Sequence, residues 1–115
     1  MSETSILPFF HWGDCKADSK INADRIDLEI VEAEPFDSTY STNIKAKVTF
    51  DYHKEELMNI PLWNYKSKNQ ALLRQYMKLF EKGKIKDGDK IQILTWLGTS
   101  SKNPDYKLRE WRIVQ

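Results

Sequence analysis

The stretch formed by residues 67–97 constrains the fold more than any other part of the chain. Ser67, followed three residues later by Gln70, has the spacing of a capping box at a helix start. Gly83 occupies the place where a left-handed C-cap favours glycine. Between them, apolar residues recur at helical spacing, namely Leu72, Leu73, Tyr76, Leu79 and Phe80. We therefore predict one amphipathic helix of about fifteen residues, a usual length in globular proteins.

The helix is followed by a turn signal and then by a change of period. Asp87-Gly88-Asp89 is typical of a turn. Apolar and polar residues then alternate through residues 91–97, so that Ile91, Ile93 and Thr95 share one face. This pattern predicts a strand directly after the helix.

Four further strands are predicted from alternation, over residues 25–34, 44–52, 57–63 and 106–114. The doublet Ile30-Val31 interrupts the first and predicts a β-bulge. Pro61 cannot donate to a ladder, so the third strand should lie at an edge or contain a bulge. Residues 35–43 and 98–105 are predicted loops, and residues 53–56 a hairpin turn.

The length of 115 residues indicates one domain, which we divide into an N-terminal extension, residues 1–22, and a folded domain, residues 23–115. One cysteine excludes an internal disulfide. We see no secretory leader and no run approaching the ~20 apolar residues of a membrane span. We therefore expect a cytoplasmic protein with no membrane partner and no cofactor.

Charge is divided unequally along the chain. Residues 1–56 contain 6 basic and 12 acidic side chains, whereas residues 57–115 contain 12 basic and 5 acidic ones. This asymmetry suggests a polyanion-binding surface built from the C-terminal half. The alternative is that the two halves pair in space and cancel.

An apolar cluster that includes Phe9, Phe10 and Trp12 precedes the first strand. We favour a segment that packs across the core or covers a sheet edge. The alternative is a segment that stacks on a ligand or binds a protein partner through these three aromatic side chains.

The predicted order β-β-β-α-β-β is that of the OB-fold, a five-stranded, partly open barrel. Residues 23–115 resemble the single-stranded-DNA-binding OB domains of archaea and phages. The resemblance rests on the order of elements, on the helix-to-strand passage over residues 83–93, and on strand ends rich in aromatic and basic residues. These belong to the broad group of replication protein A and the bacterial single-strand-binding proteins. The resemblance implies an all-β barrel with one helix that binds single-stranded nucleic acid.

Motifs of catalysis are missing from the sequence. His11 and His53 belong to no metal-binding motif, the glycines are isolated, and no nucleophile elbow is present. We expect no enzyme activity and no bound metal.

Aromatic and basic residues are interleaved near the predicted strand ends and loops. Single strands are bound by aromatic rings that stack on bases and by cations that follow the phosphates. The predicted binding residues are Phe36, Tyr40, Lys45, Lys47, Trp63, Lys66, Trp96, Lys102, Tyr106, Lys107 and Arg109. Trp111 fits either the core or the surface.

The leading hypothesis is binding of single-stranded DNA, or RNA, with little sequence preference, in replication, repair or recombination. The first alternative is a protein-interaction OB domain that is an accessory subunit of a complex. The second is a sugar-binding module or small enzyme, because exposed tryptophans also suit sugar rings. Steep salt dependence would distinguish nucleic-acid binding from apolar docking.

Overall fold

The computed structural model describes residues 7–99, 102, 105 and 107–115. It contains five strands and one α-helix in the predicted order. These are β1 (Asp24–Asp37), β2 (Ser41–Phe50), β3 (His53–Asn64), α1 (Ala71–Glu81), β4 (Lys90–Thr99) and β5 (Lys107–Val114). The prediction of a mostly β protein with one helix is therefore confirmed.

The five strands form one antiparallel sheet in the order β3-β2-β1-β4-β5. In the pairing between the described strands, β3 and β5 remain the two edges, so closure into a barrel is not confirmed. Helix α1 packs against both edge strands. Its Gln75 Nε2 donates to the Trp111 carbonyl of β5 over 2.7 Å. The helix therefore covers part of the opening between the edges.

Strand β1 contains the predicted bulge, since its register with β2 shifts between Ile30 and Glu32. The predicted loop over residues 35–43 is wrong, because Phe36 pairs with Asn43 and β2 already begins at Ser41. The polar start of β2 resembles a loop in sequence. Its buried side chains are polar and are stabilised by hydrogen bonds to neighbouring polar side chains. A strand of this kind shows no apolar alternation in the sequence.

The hairpin between β2 and β3 is tighter than predicted. Asp51 adopts a left-handed φ of 56°, and β3 begins at His53, so the turn predicted over residues 53–56 is wrong. Alternation over the predicted strand 44–52 places Ile44, Ala46, Val48 and Tyr52 on one face, and the first three are buried as expected. Tyr52 instead lies in the turn and is 72% exposed. Strand β3 is an edge strand, as Pro61 predicts.

Helix α1 has 11 residues and begins later than predicted. The capping box at Ser67 is wrong: Asn69 Oδ1 accepts the Ala71 N–H over 3.1 Å, while Ser67 Oγ accepts the Asn69 N–H. The C-terminal prediction is confirmed, because Gly83 has a φ of 73° and the Lys84 N–H donates to the Leu79 carbonyl. This pair of features defines a Schellman motif.

The N-terminal segment covers the free edge of β3. Asn59 donates its N–H to the Pro8 carbonyl, and its own carbonyl accepts the Phe10 N–H, both over 2.9 Å. Phe10 is 2% exposed and packs edge-on against Trp12 and Phe50. This is the packing favoured from the sequence, and it removes Phe10 from the surface, whereas Phe9 and Trp12 are half-buried and the alternative of a binding segment stays a prediction for them. The division at residue 22 stays a prediction.

The buried core includes residues of β1 to β4 and the helix, and Trp111 and Ile113 of β5 pack against it half-buried. Tyr76 of α1 is fully buried, and its hydroxyl donates to the Ala33 carbonyl. Burial raises the pKa of Tyr76. Cys15 is also buried, and burial, followed by the charge of Asp24, raises the pKa of its thiol to about 12. Within the described ranges, no helix is long and apolar enough to cross a membrane.

Candidate functional site

Three adjoining hollows form a continuous groove from the β1–β2 loop, past the end of β3, to β5. We name them the aromatic hollow, of about 520 Å³, the middle hollow, of about 100 Å³, and the cationic hollow, of about 570 Å³. The first two share Trp12, Pro61 and Asn64 in their linings. The last two share Asn69 and Trp111. Because the linings overlap, we treat the three as one groove.

The aromatic hollow lies between the N-terminal segment, the β1–β2 loop and the end of β3. Trp12 belongs to a 3-10 turn and donates its indole N–H to the Pro61 carbonyl over 2.8 Å. Tyr40 lies in the loop opposite and is 68% exposed. The carbonyl of Tyr40 accepts the Tyr65 N–H over 3.0 Å, which ties the loop to the chain after β3.

A polar network holds the β1–β2 loop in place. Ser41 Oγ donates to Asn43 Oδ1 over 2.7 Å, and Asn43 Nδ2 donates to Ser38 Oγ over 3.2 Å. Asn43 and Ser41 are both buried, and each is satisfied within the network. Satisfied buried polar groups rigidify their surroundings. The loop therefore presents Tyr40 in a defined position.

Aromatic rings surround the middle hollow. Trp63 is half-buried and donates its indole N–H to the Ser67 carbonyl over 2.7 Å. The exposed ring of Tyr65 meets it edge-on at 5.0 Å between centroids. On the other side, Trp12 and Trp111 meet edge-on at 5.9 Å. Rings fixed in this way keep faces available for stacking.

The cationic hollow is lined by Lys68, Lys107 and Arg109, and none of its described lining residues is acidic. Arg109 is half-buried and donates to the Thr95 hydroxyl and to the Cys15 carbonyl, over 3.2 and 3.0 Å. A guanidinium has five N–H donors, so these bonds orient it without using them all. Lys68 and Lys107 are exposed.

One donor beside this hollow is unpaired. The indole N–H of Trp111 is buried and has no acceptor among the described residues. A buried donor without a partner costs about 1–3 kcal/mol.

Four predicted binding residues line the groove: Tyr40, Trp63, Lys107 and Arg109. Lys66 is exposed in the connection between β3 and α1 and lies next to Tyr65 in the chain. Lys102 is exposed in the β4–β5 connection and lines none of the three hollows. Tyr106 lies outside the described residues.

Three other predicted residues lie on a separate surface, the outer sheet face of β1 and β2. Lys45 Nζ lies 3.3 Å from Glu32 Oε1 and 5.4 Å from the centroid of the Phe36 ring. Lys47 pairs in register with Glu29 and lines a hollow that also contains Asp27. The structure therefore does not bring Lys45 and Lys47 into the groove that Trp63 lines.

The prediction that Trp96 is an exposed stacking residue is wrong. Trp96 is 8% exposed, and its indole N–H donates to Glu110 Oε2 over 3.1 Å. Alternation placed Trp96 opposite the core face of β4, but the side chain of its β5 neighbour closes over its edge. Alternation predicts the side of the sheet to which a side chain points, but it cannot predict whether a residue of a neighbouring strand buries that side chain.

Three groove residues are absent from the predicted binding residues: Trp12, Lys68 and Trp111. Tyr65 lines none of the three hollows but packs edge-on against Trp63, and its spacing of two from Trp63 was an available signal that both side chains lie on one side. Lys68 was an available signal as well, because it lies beside Lys66 in a polar connection. Trp12 became part of the groove only through the docking of the N-terminal segment on β3.

No three His, Cys, Asp or Glu side chains of the described residues are grouped so that they could hold a metal ion. No protein-family model matches the chain, and no similar protein is found among curated proteins or among solved structures. The resemblance to single-strand-binding OB domains therefore stays a prediction from architecture.

Proposed function

We propose that this protein binds single-stranded nucleic acid, in the first place single-stranded DNA, along the groove and with little sequence preference. The observation that supports the proposal is the continuity between aromatic side chains and a cationic hollow whose described lining contains no carboxylate. Single strands are bound by this combination of stacking rings and phosphate-tracking cations.

The cationic and the aromatic parts of the groove would bind different parts of a nucleotide. Lys68 and Lys107 are exposed, and each offers an ammonium group to a phosphate. Tyr40 and Trp63 offer ring faces, and stacking contributes about 1–3 kcal/mol per base for any base type. Binding of this kind needs neither catalysis nor a metal, and a role in replication, repair or recombination would follow from it.

The aromatic hollow also supports a second candidate, a protein-interaction module. Its lining includes Phe9, Trp12 and Pro61 beside the exposed ring of Tyr40. Exposed apolar surface of this kind also occurs where proteins dock. The two candidates differ in salt dependence, which is steep for phosphate contacts and weak for apolar docking.

The test is a titration of intrinsic tryptophan fluorescence with a mixed-sequence single-stranded oligonucleotide. Of the four tryptophans, Trp12, Trp63 and Trp111 line the groove. We expect quenching at about 50 mM salt and an affinity about twentyfold lower at about 200 mM, as three phosphate contacts imply. No response at either salt would contradict the proposal. A duplex of the same sequence is the control, because its bases are already stacked and should bind the groove weakly.

A further inference from the structure

We propose that the aromatic hollow receives one base, turned out of the single strand whose phosphates lie in the cationic hollow. This inference rests on the proposed function and goes beyond it, because it assigns a separate base-binding site to the N-terminal segment. That segment lies outside the five-stranded unit, and Phe9 and Trp12 form one side of the hollow.

The volume and lining of the hollow fit a planar heterocycle. Its volume of about 520 Å³ lies within the range of small-molecule sites in proteins. Its lining includes the aromatic rings of Phe9, Trp12 and Tyr40, together with the buried Phe10. A flat aromatic ligand gains more from such rings than a branched aliphatic side chain does, because ring faces can stack.

Polar groups at the hollow match the edge of a base. His11 and Asn64 are exposed and belong to its lining. Asn64 Oδ1 accepts the Lys66 N–H, and its amide N–H groups donate to no described residue. A base edge offers acceptors and donors to these groups, whereas an apolar peptide side chain offers none.

Charge and continuity also favour a nucleotide as the occupant. The aromatic hollow leads through the middle hollow to Lys68 and Lys107, with Asn64 and Asn69 in the shared linings. A polyanion drawn to these lysines can extend along the groove to the aromatic hollow. A neutral apolar peptide would gain nothing from the cationic end.

The hollow is formed before the ligand arrives. Trp12 is hydrogen-bonded to Pro61, and Tyr40 to Tyr65, so opposite sides of the hollow are both fastened to the end of β3 and the residues after it. The Ser38–Ser41–Asn43 network fixes the loop from below. A preformed site loses little conformational entropy on binding, which favours affinity.

The experiment uses the full chain and the shortest end-labelled oligonucleotide that still binds fully, so that the strand cannot slide. A series of oligonucleotides is prepared, each of which lacks the base at one position. The affinity of the protein for each of them is measured by fluorescence anisotropy. We expect one position to lower the affinity by about 5- to 150-fold, with smaller losses elsewhere. Equal losses at all positions would overturn the base site and leave the proposed function standing. Absence of binding by the intact oligonucleotide would overturn both.

Tyr40→Ala locates the effect, and Tyr52→Ala is its matched control. Both tyrosines lie in hairpin connections, at 68% and 72% exposure, but only Tyr40 lines the hollow. Tyr40→Ala should weaken binding of the intact strand at least fivefold and remove the sensitive position. Tyr52→Ala should preserve both the affinity for the intact strand and the sensitive position. Thermal melting verifies the fold of each variant. A sensitive position that persists unchanged in Tyr40→Ala would overturn the assignment.

Discussion

The groove and the outer sheet face both contain lysines, but the surroundings of these lysines differ. On the outer sheet face, Lys45 is paired with Glu32, and Lys47 lies opposite Glu29 in the register of β1 and β2. In the cationic hollow, Lys68 and Lys107 have no carboxylate among the described lining residues. The same residue type therefore balances charge on one surface and lines a hollow without described carboxylates on the other.

The difference arises from the position of β1 in the sheet. This acidic strand lies between β2 and β4, so Glu29 faces Lys47 on one side and Lys90 on the other. Cross-strand pairs of opposite charge stabilise a sheet. The acidic strand thus offsets lysines from both halves of the chain, whereas Lys68 lies in the β3–α1 connection and Lys107 in β5, neither of which pairs with β1.

The largest effect is expected from Phe10→Ala, which removes the anchor of the N-terminal segment. Truncation of a buried phenylalanine costs about 3–5 kcal/mol. The comparable change on the outer sheet face is Val31→Ala, at a residue 37% exposed, with an expected cost within about 0.5 kcal/mol. Urea unfolding measures both. Similar losses for the two variants would contradict the role of Phe10 as a core residue.

The two pairs of lysines provide the next test. Lys68→Ala with Lys107→Ala should lower the affinity for a single strand about 50-fold at about 50 mM salt and reduce the salt slope by more than one unit. Lys45→Ala with Lys47→Ala makes the same change in net charge and should alter the affinity less than about twofold. Anisotropy titrations measure both. Equal losses would mean that net charge, and not the groove, determines binding.

The effect of a single lost stacking ring is tested at Trp63, whose ring lines the middle hollow. Trp63→Ala should raise the Kd for a single strand by about 5- to 150-fold, which corresponds to the loss of one base–aromatic stacking contact. Trp63→Phe preserves an aromatic face but loses the bond to the Ser67 carbonyl. If Trp63→Phe binds as weakly as Trp63→Ala, the hydrogen bond and not the ring is responsible.

The smallest effect on binding is expected from Gly83→Ala at the end of α1. Nothing lies within 4 Å of the added Cβ, but φ is 73°, so the cost comes from the left-handed backbone and is about 1–2 kcal/mol. Gly83 lines none of the three hollows. Urea unfolding should show the loss of stability, while anisotropy should show an unchanged affinity. A change in affinity would indicate that α1 controls the groove.

The features predicted correctly from the sequence have local causes. The bulge at Val31, the left-handed Gly83 and the alternation through β2 each depend on a few neighbouring residues. Where two local signals competed, the prediction failed. Ser67 was expected to cap α1, but Asn69 lies nearer to the helix start and accepts its N–H.

The groove could be predicted only in part, because it is assembled from distant segments. Trp12, Pro61 and Trp111 meet through the docking of the N-terminal segment and the approach of β5 to α1. Nothing within a single strand indicates these contacts. The interleaving of aromatic and basic residues selected Trp63, which lines the groove, but it also selected Trp96, whose indole N–H is bonded to the Glu110 side chain and which is buried.

The indole N–H signals of the four tryptophans offer the most direct test in an ¹H–¹⁵N spectrum, recorded while a single-stranded oligonucleotide is added at low salt. Trp12, Trp63 and Trp111 line the groove, and Trp96 is buried away from its lining. We predict shifts for the first three indoles and for the backbone amides of residues 63–69, with Trp96 and Lys47 unchanged. Shifts at Lys47 and its neighbours on the outer sheet face, with the three groove indoles unmoved, would contradict the account.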